Sequence, residues 1–217
     1  MITNLKRGEG IDICHDSWDF SQLTIGLGWD VANLQGEIPA AHYPGMPRPH
    51  QEHDLDVVAI LLNAEGKVAE LGGCSFNGGT NQGDVIFHKA PQHASGAIWL
   101  TGDNRTGDGE HGEDDEQIIV QPDQLALHYH RILFMAVIHD GKHRGQHFGQ
   151  VRNAYIRAVD ARGQEICRYD LSQLQGMTAY SAMSFAELER KGAEWHFTAL
   201  GVPHESDRFV DLLKPYL

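Results

Sequence analysis

The sequence predicts an all-β protein, an antiparallel β-sandwich with a few short helices, on three observations. Short β-branched or aromatic runs recur along the chain, bounded by glycine, asparagine and aspartate. Two of the connections carry hairpin punctuation, Asn63 to Gly66 in LLNAEGKV and Asp160 to Gly163 in VDARGQEI. The runs also follow one another without the long intervening helical patterns that a parallel sheet needs.

In chain order, the clearest strand-like runs fall at 23–27, 57–62, 85–87, 118–120, 132–138, 154–159 and 195–200. Helical pattern is confined to short pieces at 184–191 and 206–213. Trp29, Trp99, Phe134, Trp195 and Phe197 fall in or beside the apolar runs and are expected in the core. Residues 34–53 hold four prolines, two glycines and three histidines without periodicity. They read as a long loop inside a single domain spanning 1–217, because strand-like chain resumes on both sides.

A chain of 217 residues with 41% hydrophobic and 22% charged residues can bury a sizeable core. The formal charge of −13 argues against nucleic acid as a partner, since that binding needs Lys and Arg to neutralise phosphates. Cys14, Cys74 and Cys167 are odd in number and widely separated, which speaks against a disulfide framework or a thiolate zinc site; small buried thiols are expected. The first residues carry no signal-peptide pattern, and the chain has no apolar stretch long enough to cross a bilayer as a helix. A cytoplasmic protein is the expectation.

The most unusual stretch is GDNRTGDGEHGEDDE at 102–116, with seven carboxylates and four glycines in fifteen residues. A solvated loop is the ordinary explanation of such a run. Yet two carboxylates about 5 Å apart repel by roughly 3 kcal/mol at an effective dielectric near 20, so the clustering needs compensation. Asp103, Asn104 and Asp108 are hard oxygen ligands, and Gly107, Gly109 and Gly112 let main-chain carbonyls turn inward. Acids recur at other strand ends: Asp30, Asp54, Asp56 and Asp140. The i, i+2 spacing of Asp54 and Asp56 sends both to one side of an extended chain. A sandwich gathers its loops at two ends, so these residues can meet over one calcium ion. The cage is not an EF-hand, since Arg105 stands at its third position and Asp108 at the sixth, where glycine is required.

Among fourteen histidines, the pair in His128-Tyr129-His130 could share a strand face, while His139, His143 and His147 have helical spacing interrupted by Gly141 and Gly145. An enzyme would use paired carboxylates, with His139 as a further group. The sequence offers no nucleophile motif, and GGTNQGD at 78–84 lacks the lysine of a phosphate loop, so a binding protein rather than an enzyme is expected.

Six ordered blocks together carry a resemblance: LKRGEGIDI, IGLGWD at 25–30, DLDVVAILLNAEGKV at 54–68, TGDNRTGDGEHGEDDEQIIV at 101–120, AVIHDGKHRGQHFGQVRNAYIRAVD at 136–160 and EICRYDLS at 165–172. In this combination the chain resembles the TerD family of bacterial tellurite-resistance and general stress proteins. The resemblance implies a β-sandwich related in shape to calcium-dependent phospholipid-binding domains, with calcium held by acidic loops at one end. It carries Asp30, Asp54, Asp56, Asp103, Asn104, Asp114, Asp115, Glu116 and Asp140 over as metal ligands. Two features depart from the family pattern: the loop at 34–53 is longer, and His111 and Glu113 shift the register of the acidic stretch. The resulting expectation is a calcium-binding or scaffold component of the chemical stress response whose partners are other stress-resistance proteins. A calcium-dependent membrane adaptor and a metal-dependent hydrolase are the rival readings.

Overall fold

The computed structural model of the protein describes residues 3–14, 16–30, 53–72, 83–102, 113–171, 176 and 179–217. Within them the all-β expectation holds as two six-stranded sheets. The first runs β1 (Thr3–Asn4), β10 (Glu165–Asp170), β9 (Arg152–Val159), β3 (Leu23–Asp30), β7 (Glu116–Val120), β6 (Ile98–Leu100). The second runs β2 (Gly10–Ile13), β12 (Glu194–His204), β11 (Ala182–Lys191), β8 (Arg131–Ile138), β4 (Leu55–Leu62), β5 (Val85–Ile86). Among these strands, only β1 and β10 pair in parallel.

Period-two alternation builds the space between the sheets. Leu23, Ile25, Leu27 and Trp29 of β3 and Leu55, Val57, Ala59 and Leu61 of β4 join one apolar cluster. The other face of β4 is also covered: Val58, Ile60 and Leu62 pack with Leu133, Met135 and Val137 of β8 and with Leu212 and Leu213 of the C-terminal helix α2 (Phe209–Leu213). Burial on both faces explains why VVAILL is continuously apolar instead of alternating. Trp29, Phe134, Trp195 and Phe197 are buried as expected, while Trp99 is half-buried.

The helical reading of 184–191 is overturned, since these residues lie in β11. Their Ala, Glu, Leu, Arg and Lys residues favour helix, but β11 is hydrogen-bonded to β12 on one side and β8 on the other. Ladders on both edges override a weak propensity. The expected helix at 206–213 is shorter than its pattern, and a 3-10 turn follows it at Lys214–Tyr216. The turn at 160–163 joins β9 to β10, whereas the turn at 63–66 leads to no returning strand: the Val68 N–H donates to the Tyr216 carbonyl instead. His128, Tyr129 and His130 lie before β8 rather than on a strand.

Tyr129 instead joins a buried polar knot around Asp84. The Asp84 carboxylate is fully buried and accepts from the Ala69 and Glu70 main-chain N–H groups at 2.8 and 2.7 Å and from the Tyr129 hydroxyl at 2.6 Å. His93 Nε2 lies 3.2 Å from the same carboxylate. Cys167 is buried, and burial pushes its thiol up to about 12; Cys14 is half-exposed, and both are free thiols. No helix among the described residues is long and apolar enough to cross a membrane.

Candidate cation-binding end of the sandwich

β3 and β8 end, and β4, β7 and β9 begin, at one end of the sandwich. The segments that carry the acids at these strand ends are tied together by hydrogen bonds from main-chain and side-chain groups. The Asp115 N–H donates to the Leu27 carbonyl at 2.9 Å, and the Asp115 carboxylate accepts from the Trp29 N–H at 2.9 Å. The Trp29 indole N–H donates to the His53 carbonyl at 3.0 Å, and the His139 N–H donates to the Asp54 carbonyl at 2.7 Å. A hydrogen-bonded belt thus brings together the acidic segments at 115–116, 29–30, 53–54 and 139–140. Asp30 is held by the Asn153 side chain, which donates to its carboxylate from a residue with φ of 50°. Asp140 also has a left-handed backbone, φ 52°, where the chain turns into the four-residue helix α1 (Gly141–Arg144).

Glu116 joins the two sheets. It opens β7 and is 2% exposed, and its carboxylate accepts the Val57 N–H of β4 at 2.6 Å. A charge-assisted bond of this kind, in a buried place, is stronger than a neutral one. Replacing Glu116 with alanine leaves the Val57 donor without its acceptor and is expected to lower unfolding stability by about 2 kcal/mol, read by urea denaturation.

Two of the expected ligands face elsewhere. Asp114 turns onto the outer surface of the first sheet, where Arg157 Nε donates to its carboxylate at 2.7 Å, with Gln117 Nε2 at 3.1 Å and the Tyr155 hydroxyl at 3.2 Å. The second edge of Arg157 donates to Glu165 at 2.9 Å. Burial opposes the charge on Arg157, but the two carboxylates outweigh it and raise its pKa; burial raises that of Tyr155. The glycines of IGLGWD make this possible: a Cβ on Gly26 would meet the Asp114 carboxylate at 2.2 Å, and one on Gly28 the Tyr155 ring at 2.4 Å. Asp56 lies beside the outer face of the second sheet, between two imidazoles. Its Oδ2 is 3.3 Å from His139 Nδ1, and its Oδ1 is 2.8 Å from His88 Nδ1.

Asp103 and Asn104 lie outside the described residues, as does Asp108. Among the described residues no three His, Cys, Asp or Glu side chains are close enough to hold a metal ion. What the end does present is carboxylate and carbonyl oxygen, the donor chemistry of a hard cation and not of a soft one. Arg157, Tyr155 and His88 were not singled out from the sequence. Alternation of Tyr155 and Arg157 with the core residues Ala154, Ile156 and Ala158 marks them as outward-facing, but nothing local names Asp114 as their partner.

Comparison with known proteins agrees with this architecture. The TerD domain family matches residues 1–216. Tellurium resistance protein TerX of Serratia marcescens is 44% identical over 218 residues, spanning 100% of both chains. General stress protein 16U of Bacillus subtilis (strain 168) is 32% identical over 202 residues, 93% of this chain and 90% of that one. The crystal structure of a homologue of telluride resistance protein (TerD), SCO6318 from Streptomyces coelicolor A3(2), is similar with a TM-score of 0.59 at 19% identity, over 87% of this chain and 93% of that one; at that identity the likeness is one of fold. With a matching domain over nearly its whole length and relatives named for tellurium resistance and stress response, the chain belongs to the TerD family.

Proposed function

We propose that the protein is a calcium-binding component of the tellurium-resistance and chemical stress response, acting by binding or as a scaffold rather than by catalysis. The observation that supports this reading is the hydrogen-bonded belt joining the acidic segments around Asp30, Asp54, Asp115 and Asp140 at one end of the sandwich. In this reading Asp30, Asp54, Asp115, Glu116 and Asp140 supply oxygen from the described strand ends, and Asp103 and Asn104 complete the set. Asp114 and Asp56 act as anchors, because a cation and an imidazole already occupy their carboxylates.

A bound divalent cation offsets the repulsion among these acids and binds only the folded chain. Calcium is therefore expected to raise stability by RT ln(1 + [L]/Kd), about 2.7 kcal/mol at a hundredfold excess over Kd. Thermal melts and calorimetric titration of chelator-treated protein read this directly, with magnesium as the control. An unchanged melting temperature and no binding heat would defeat the reading. Liposome sedimentation with and without calcium tests the membrane adaptor, and calcium-dependent pull-down of other stress-resistance proteins tests the scaffold role.

A further inference from the structure

We propose that the outer face of the second sheet carries a binding site for a small organic anion with a flat apolar body, beside the acidic end and sharing Asp140 with it. A cleft of about 570 Å³ lies there, within the size range of small-molecule sites. Its apolar lining comes from Val58 of β4, Val137 of β8 and the rings of Phe87 and Phe209, which stack at 4.6 Å between centroids. A flat hydrophobic body is matched by such a lining, because stacked rings add specific contact to the area they bury.

The polar groups of the cleft decide the charge of the ligand. Two of its three acids are already engaged: Asp56 sits between His88 and His139, and the Asp207 carboxylate accepts from the Lys142 N–H at 2.7 Å and the Ser181 hydroxyl at 3.1 Å. Asp140 is mostly exposed and lies 3.9 Å from His139 Nε2. The basic groups are not engaged in the same way. The ammonium groups of Lys89 and Lys142 make no ion pair among the described residues, and Arg208 has only a distant partner, Asp211 at 3.8 Å. His88 and His139 line the cleft from either side of Asp56. On a chain of formal charge −13, this cleft matches its three acids with three bases, and the lysine ammonium groups are left without an ion-pair partner among the described residues above an apolar wall. A cation finds two of the three carboxylates occupied there, whereas a phosphate or carboxylate on an aromatic body meets both the lysines and the apolar wall.

The test is calorimetric titration of the full chain, in the presence of a calcium chelator, with 1-naphthyl phosphate, 1-naphthol and inorganic phosphate as probes. Naphthyl phosphate is expected to bind at least about tenfold more tightly than either of the others, because only it uses the wall and the bases together. Lys89→Glu combined with Lys142→Glu is expected to weaken it about tenfold while leaving naphthol binding and the melting temperature unchanged, since both lysines are surface residues. Phe209→Ala is expected to weaken naphthyl phosphate and naphthol alike. In wild-type protein the imidazole resonances of His88 and His139 should shift as naphthyl phosphate is added. The proposal is overturned if naphthol binds as tightly as naphthyl phosphate, if the charge reversals leave its affinity unchanged, or if the His88 resonance does not move at saturation.

Discussion

Replacing Asp84 with alanine is expected to lower the free energy of unfolding by about 4 kcal/mol, measured by urea denaturation. The carboxylate is fully buried and takes two main-chain N–H groups and a tyrosine hydroxyl, each at 2.8 Å or less. Alanine leaves those donors facing protein instead of water, and a cavity opens among them. The same site gives a pH signature. Burial alone raises the pKa of Asp84, but the bonds from His93, Tyr129, Glu70 and Ala69 outweigh it and hold the carboxyl below its ordinary value. A group with a depressed folded-state pKa contributes stability in full above its unfolded pKa, about pH 4, and loses it as the pH falls through the folded value. Wild-type protein should therefore lose stability below about pH 4, and Asp84→Asn should lose less over that interval. Equal acid sensitivity in the two proteins would show that Asp84 is not the responsible group.

Arg157→Ala is expected to cost about 3 kcal/mol, because it strips the cation from a carboxylate that has nowhere to go. The Asp114 side chain is 1% exposed and pressed over Gly26, so it cannot swing into solvent when its partner is removed. Combining Arg157→Met with Asp114→Asn should recover part of that loss, since the pair is then neutral together. Simple additivity of the two single losses would show that the contact between them carries no coupling. The same network fastens the chain just before β7: the Tyr155 hydroxyl donates to the Glu113 carbonyl at 2.8 Å, and the Arg168 guanidinium lies 3.9 Å from the Tyr155 ring centroid. Under the calcium reading, Arg157→Ala should also raise the calcium Kd.

The architecture was legible wherever burial imposes a period on the sequence. The apolar run of β4 and the alternation of β3 and β9 announce their strands, and the acids at their ends point to one end of a sandwich. The misread segment, β11, is made of residues that favour helix, and its identity comes from two neighbours that meet it only after folding. Within the candidate site, residue type revealed which groups carry charge, but not how they are allotted. Asp114, Asp115 and Glu116 are consecutive, yet one pairs with an arginine on an outer face, one caps a tryptophan amide and one bridges to the opposite sheet. Those partners lie from 41 to 86 residues away in sequence along most of these contacts, which no local pattern reports. His88 and Asp84 escaped notice for the same reason: their meaning comes from His139, Asp56, Tyr129 and His93 arriving from other strands and loops.

The opening strands β1 and β2 divide between the sheets, β1 lying beside β10 at Cys167 and Arg168, and β2 beside β12 from Trp195 to Thr198. Each therefore waits for a partner synthesised more than a hundred residues later, and each finds it at an outer edge. Long loops must close before these pairings form, which makes them slow by topology. During synthesis the first strands emerge from the ribosome with their edges bare, and the sandwich cannot be sealed until Thr198 has followed them out. The exposed interval falls on GIDI, whose Ile13 ends fully buried. The chain thus passes through a vulnerable half-built state in which GIDI stays bare until β12 has been made.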